Sequence, residues 1–401
     1  MARFRYVGRT YSGKKSGVLN APSRNAALQE LKGKGIRIIE FEEVEESIWS
    51  KDIVIGNAIK LQDYVIFLRQ FATLIRAGVT IIDSIKILTE QTESKMLKKT
   101  LQAMEQDLRE GISLSSSAKK HERIFTPMFV NLVEAGELGG NMEETLERLA
   151  THFEKQHYTQ QKIKSALSYP LVVGLIALVA VIFLLTSVVP TFVDLFDSFG
   201  SELPPLTKFV LGASDFMQSF WWLVILLFVG IGFGLYFLKS NPVTKYYMDY
   251  ILFKMPIFGK LLRKSAIARM TRTLSSLFSS SVPIFQSLTI VQKVTNNEVI
   301  SKVLEESKQA LERGESLTEP MKDHWVFPPL VTQMMAIGEN TGSLDEMLSK
   351  VADFYEKEVD TATDQLKSII EPLMIVVLAG IVGLIVASIL IPMFEVFNHV
   401  G

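Results

Sequence analysis

Leu171–Pro190 reads LVVGLIALVAVIFLLTSVVP, twenty residues without a charge, and this stretch decides the fold. As a helix rising ~1.5 Å per residue it measures ~30 Å, the thickness of a bilayer's hydrocarbon core. Two more stretches share its character. Phe220–Leu238 reads FWWLVILLFVGIGFGLYFL, and Leu373–Phe394 reads LMIVVLAGIVGLIVASILIPMF. A buried core helix carries a shorter apolar run with a polar edge, so all three are read as membrane spans. The helices are expected over 168–190, 220–239 and 370–394.

The flanks set the orientation. Residues 191–219 carry Lys208 against Asp194, Asp197, Glu202 and Asp215, whereas residues 239–272 carry eight bases and one acid, Asp249. The positive-inside rule places 191–219 outside and the segment after Lys239 in the cytoplasm. Trp221 and Trp222 then anchor the outer end of the middle span. The N-terminus is expected inside and the tail 395–401 outside, in the plasma membrane. MARFRYVGRT has no apolar core, so the first span is expected to act as an internal signal-anchor.

The chain has 401 residues, 48% of them hydrophobic and 21% charged, and a mean hydropathy of +0.24. That is too apolar for a disordered chain. A net charge of −1 offers no basic field for nucleic acid, and the absence of cysteine excludes disulfide, iron–sulfur and thiol chemistry.

The chain also repeats itself. Residues 69–114 match 272–317 at an offset of 203: LIRAGVTIIDSI (74–85) lies against LFSSSVPIFQSL (277–288), and Gly111-x-Ser113-Leu114 against Gly314-x-Ser316-Leu317. After a one-residue slip, AGELGGNMEETL (135–146) pairs with IGENTGSLDEML (337–348), Pro170 with Pro372 and Pro190 with Pro392. The unit is a helical lobe followed by one span. A unit of that kind starts inside and ends outside, so a second cytoplasmic lobe needs the extra middle span to bring the chain back.

Each lobe reads as helical, with Leu61, Val65, Leu68, Ala72 and Ile75 at 3.6-type spacing. Gly136 and Gly338 suit a helix end or tight turn. Ser343 with Glu346 forms a capping box, and Asn141 with Glu144 its counterpart. The helices that follow put Leu146, Leu149 and Phe153, or Leu348, Val351 and Tyr355, on one face. Residues 3–45 look like short strands around an amphipathic helix, NAALQELKGKG.

The fold class is therefore mainly α: a polytopic membrane protein with two duplicated cytoplasmic helical bundles, three transmembrane helices and a small N-terminal α+β segment. The expected order is an N-terminal domain (1–47), a linker (48–60), bundle 1 (61–167) and the first span (168–190). An outer loop (191–219), the second span (220–239) and a basic connector (240–262) follow. Bundle 2 (263–369), the third span (370–394) and the tail (395–401) complete the chain.

Several motifs imitate chemistry. Gly8 to Lys15 resembles a phosphate loop but lacks the final Ser/Thr and the following helix, so a hairpin turn accounts for it better. Gly230 and Gly234, like Gly383 and Ala387, lie within spans, where small residues allow close helix packing. His121, His152, His157, His324 and His399 show no metal-ligand spacing. Glu134, Glu137 and Glu339, beside the repeated glycines, read as turn carboxylates rather than ligands of a hard cation. No serine elbow, kinase signature or carboxylate dyad appears, and no ionisable residue lies inside a span, which weakens a transporter reading. No enzyme activity, cofactor or metal is expected. Arg263, Lys264 and Arg269 are candidates for contact with anionic lipid or a partner.

The repeated turns Gly136-Glu137…Gly140 and Gly338-Glu339…Gly342, the LERLA and LSKVA helices after them, the Pro-bounded spans and the pattern Tyr6, Gly13-Lys14, Gly17, Ala21, Gly35 carry a resemblance. Together the chain resembles the type II secretion F / type IV pilus assembly PilC family of inner-membrane platform proteins. The second copy departs from the first with Ser281-Val282-Pro283 in place of Gly78-Val79-Thr80. The resemblance implies a non-enzymatic platform coupled to a cytoplasmic hexameric ATPase and to pilins or pseudopilins. Other membrane components of the machine are expected as partners; the close-packing spans point to a homo-oligomer, and the net charge to no direct contact with nucleic acid. The alternative is a polytopic membrane scaffold or signalling protein unrelated to filaments.

Overall fold

The computed structural model describes residues 2–10, 13–21, 28, 31–33, 37–43, 59–192, 204–256 and 258–400. The chain divides into two compact units, Met1–Ala58 and Ile59–Gly401.

The first unit holds three antiparallel strands, β1 (Ala2–Thr10), β2 (Gly13–Ala21) and β3 (Arg37–Glu43), in the order β2-β1-β3. Gly8 pairs with Lys15 and Thr10 with Gly13, so the phosphate-loop imitation is a β-hairpin. Most of the expected NAALQELKGKG helix, and the linker 48–58, lie outside the described residues.

In the second unit the duplication is visible helix by helix. The first copy runs α1 (Leu61–Arg76), α2 (Ile81–Gln91), α3 (Lys95–Arg109), α4 (Leu114–Lys119), α5 (Pro127–Gly139) and α6 (Met142–Phe183), which continues through a π-helical turn, Leu184–Val188. Two helices intervene, α7 (Pro205–Ser240) and α8 (Pro242–Lys254). The second copy repeats the six as α9 (Phe258–Ser279), α10 (Ile284–Thr295), α11 (Glu298–Glu312), α12 (Glu319–Lys322), α13 (Pro329–Thr341) and α14 (Leu344–Val400).

Each lobe closes around its own apolar core. Tyr64, Phe67, Leu68, Phe71 and Ala72 of α1 are buried with Phe125 and Phe129, and the rings of Tyr64 and Phe153 meet edge to face at 4.9 Å. The expected stalk faces are buried as read: Leu146, Leu149 and Phe153 in one copy, Leu348, Val351 and Tyr355 in the other. Pro127 and Pro329 begin α5 and α13, where the missing N–H costs nothing.

Helices α6 and α14 lie side by side and run in the same direction. Lys155 meets Asp353, Lys162 meets Asp360, Gly174 faces Met374, and Leu185 and Val189 cluster with Ile385. Both lobes therefore sit at the same end of the pair. Helix α7 starts at the far end, where Thr207 bonds to Ser388, and leads back to α8, which docks on lobe 2 through Lys245–Glu298 and Tyr250–Trp325. Among the described residues two helices, Met142–Phe192 and Leu344–Ile391, are long and apolar enough to cross a membrane. The middle expected span falls within α7, which kinks at Phe220 (φ −122°, ψ 19°), where that span was expected to begin.

Two local expectations are corrected. Gly136 and Gly338 lie inside α5 and α13 rather than at a turn; the left-handed C-caps are Gly140 (φ +69°) and Gly342 (φ +72°). Asn141 precedes α6 without a side-chain capping bond, and the Ser343 hydroxyl bonds to Thr341.

Candidate functional site

The candidate site is built of two lobes, two continuous stalks and the helix that joins their far ends. Its smallest part is the repeated Glu. Glu137 accepts hydrogen bonds from the backbone N–H of Leu114 (2.6 Å) and of Ser115 (3.3 Å), and from the Ser115 hydroxyl. Glu339 accepts from Leu317 N (2.8 Å) and Ser316 Oγ (2.6 Å). The Gly-x-Ser-Leu and Gly-Glu motifs are thus two halves of one contact, a carboxylate on α5 or α13 holding the N–H groups of the segment after α3 or α11. Its lone pairs are engaged by N–H and O–H donors, which opposes the cation-ligand reading of Glu137 and Glu339; Glu134 is exposed.

Gly136 and Gly338 set how closely lobe and stalk approach. A Cβ on Gly136 would lie 2.7 Å from Thr145 Oγ1, and one on Gly338 would lie 2.7 Å from the Leu344 Cα. Only glycine permits the stalk to leave the lobe there.

A second repeated feature is the arginine that joins the first helix of each lobe to its stalk. Arg69 on α1 donates to Glu154 and Glu147 on α6, both at 2.6 Å. At the aligned position Arg272 on α9 donates to Glu356 on α14 at 2.7 and 2.9 Å, and also to Asp353. Hydrogen bonding to Arg69 holds the Glu147 carboxyl below its ordinary range, and burial opposes it. Burial raises the Asp353 carboxyl, but Lys155 and Arg272 outweigh it and the net shift is downward. Sequence reasoning missed these arginines, although Arg69 and Arg272 are the first aligned pair of the repeat.

The copies differ where they meet. Lys155 of α6 pairs with Asp353 (3.0 Å) and Glu356 (3.1 Å), and Lys162 pairs with Asp360 (3.0 Å). One stalk supplies cations and the other acids, so the pair assembles as unlike partners. Beyond this ladder the stalks become apolar, and a groove of about 320 Å³ between them is lined by Val173, Ala177, Val181, Leu373, Val377 and Ile381.

The repeated prolines are accommodated by α7. A proline inside a helix donates no N–H and crowds the carbonyl four residues back. Pro392 leaves the Ser388 carbonyl without its helical donor, and the buried Thr207 hydroxyl donates to it at 2.7 Å. Ahead of Pro190 the helix widens into the π-helical turn, whose Leu185 carbonyl accepts from the buried Ser214 hydroxyl. The unrepeated helix therefore fastens the far ends of both repeated ones.

The predicted packing glycines are not brought together. A Cβ on Gly230, Gly234 or Gly383 would meet no atom within 4 Å, and Ala387 is half-buried on α14. The three basic candidates turn inward. Arg263 donates to the Trp325 carbonyl (3.3 Å), Lys264 pairs with Glu358 (2.6 Å), and Arg269 is half-buried beside a cavity between α9 and α6. Arg263 and Lys264 thus have partners within the protein.

Comparison with known proteins agrees with this architecture. The model of the type II secretion system (T2SS) protein F family matches twice, over residues 67–190 and 270–392, and that of the protein's N-terminal domain matches residues 1–42. The type IV pilus assembly protein PilC of Thermus thermophilus is 37% identical over 99% of both chains. PilC of Pseudomonas aeruginosa is 40% identical over 86% of this chain and 93% of its own. The type II secretion system protein F of Vibrio cholerae is 30% identical over 99% of both. The doubled match begins at an offset of 203 and ends at 202, the same register as the internal repeat. The chain belongs to the type II secretion system protein F family.

Proposed function

We propose that this protein is the inner-membrane platform of a type IV pilus or type II secretion machine. In this reading it crosses the membrane three times, with α7 as the return crossing, both lobes in the cytoplasm and the C-terminus outside. A cytoplasmic ATPase moves the lobes, and the stalks carry that movement to pilins or pseudopilins in the bilayer. The protein itself performs no covalent chemistry.

The observation that carries the reading is the continuity of α6 and α14, with 42 and 57 residues. At ~1.5 Å per residue they are ~63 and ~85 Å long, well beyond what a span requires. Each begins in a lobe core and ends in an apolar segment of which 11% is buried. Exposed Leu171, Leu175, Ile176, Val376 and Phe394 form an apolar surface far too large for water. Helix α7 contributes Trp221, Trp222, Leu226 and Phe233 to the same belt.

The test is co-purification of the full chain with its ATPase, combined with complementation of filament assembly. Lys155→Glu with Lys162→Glu is expected to keep the ATPase bound while assembly fails, because the lobes remain folded and like charges disturb the pairing of the stalks. Absence of the ATPase from the wild-type complex, or normal assembly by the double variant, contradicts the reading.

A further inference from the structure

At the joint between the lobes lies a cavity of about 30 Å³, bounded by α6 of the first copy and α9 of the second. His152, Gln156, Ser265 and Arg269 line it, and Lys155, Arg272 and Glu356 close its edge. The walls are polar and incompletely bonded. His152 is buried, and among the described residues neither of its ring nitrogens nor Gln156 Oε1 has a hydrogen-bond partner. Arg269 is half-buried and, among the described residues, forms no ion pair. The nearby acids are committed, since Glu356 and Asp353 serve Arg272 and Lys155. A cation partly withdrawn from water with no counter-charge is an unfavourable arrangement.

We propose that this cavity is a binding site for a small monovalent anion of halide size, chloride in the cell, held by Arg269 between the two lobes. The volume suits one occupant little larger than water and excludes sulfate, phosphate and nucleotides. Burial, then the charges of Arg272, Arg269 and Lys155, push the His152 imidazole down to about 3, so it is neutral and offers one N–H. The Ser265 hydroxyl and the Gln156 amide, turned to present its NH2, complete the shell. The site has no counterpart in the other half of the repeat. The positions aligned with Arg269 and His152 are Ile66 and Phe354, both exposed apolar residues. The anion would therefore bridge the copies at a place where they are unlike, fixing the angle between them.

The test uses the full chain in detergent, with thermal unfolding followed by tryptophan fluorescence in sodium chloride, bromide, gluconate and sulfate at equal ionic strength. Chloride and bromide are expected to raise Tm saturably, by about 3 °C at tenfold saturation, while gluconate and sulfate do not. Arg269→Gln is expected to lose this response and Arg269→Lys to keep a weaker one. Crystals grown in bromide are expected to show an anomalous peak beside the Arg269 guanidinium, a result that does not depend on any variant folding. Equal Tm in all four salts, an undiminished chloride response in Arg269→Gln, or water alone at the bromide position would overturn the proposal.

Discussion

Ser281 adopts φ +59°, a left-handed conformation that its aligned partner Gly78 (φ +82°) takes without strain. Restoring glycine removes a penalty of ~1 kcal/mol and returns some of it as unfolded-chain entropy. Ser281→Gly is therefore expected to raise stability by about 0.5 kcal/mol, read as a higher Tm of the full chain in detergent. The close-approach glycines act oppositely and unequally. Gly136→Ala meets a threonine side chain that can rotate, whereas Gly338→Ala meets the Leu344 backbone. Both are expected to destabilise, Gly338→Ala more, by ~2 kcal/mol or above; equal Tm losses would contradict the account. Loss of the repeated carboxylate by Glu137→Ala or Glu339→Ala is expected to cost ~1–2 kcal/mol, because buried N–H groups lose a charged acceptor.

At the scale of elements, the ladder between α6 and α14 decides whether the stalks act together. Each pair is partly exposed and contributes ~0.5 kcal/mol, so its effect lies in pairing choice more than in stability. Lys162→Glu is expected to lower Tm by setting like charges beside Asp360, and adding Asp360→Lys to recover most of the loss; a double-mutant cycle measures the coupling. The pH dependence has a definite sign. Glu147 and Asp353 titrate below their ordinary values, so their contribution is complete above ~pH 5 and disappears as pH falls through their lower folded values. Thr207→Val is expected to cost ~1 kcal/mol by leaving the Ser388 carbonyl unbonded in an apolar setting. The stalk faces were legible because Leu146, Leu149 and Phe153 recur at helical spacing. The ladder was not, since pairing 155 with 353 requires knowing that two distant helices are neighbours. The signal was present in the aligned positions Lys162 and Asp364, where the copies carry opposite charges. Charge density in sequence does not reveal that Lys264 and Arg263 have partners at positions 358 and 325.

For the whole molecule, the duplication and the length of the apolar runs were enough to place two lobes on two parallel helices. The role of α7 was read only as a way back across the membrane. Its hydroxyl contacts to the ends of both repeated helices emerge only in three dimensions, because they answer the missing N–H groups of prolines in other elements. The central claim is that both lobes stand on one side of the bilayer, at the near ends of two parallel stalks fastened at the far ends by α7. A chain with no cysteine allows this to be measured directly. Single cysteines at Gln102, Gln309 and Lys208, probed with a membrane-impermeant maleimide, are expected to divide cleanly. Gln102→Cys and Gln309→Cys should react only after spheroplasts are opened, and Lys208→Cys should react in intact ones. Labelling of Gln102→Cys and Gln309→Cys from opposite faces would contradict the account.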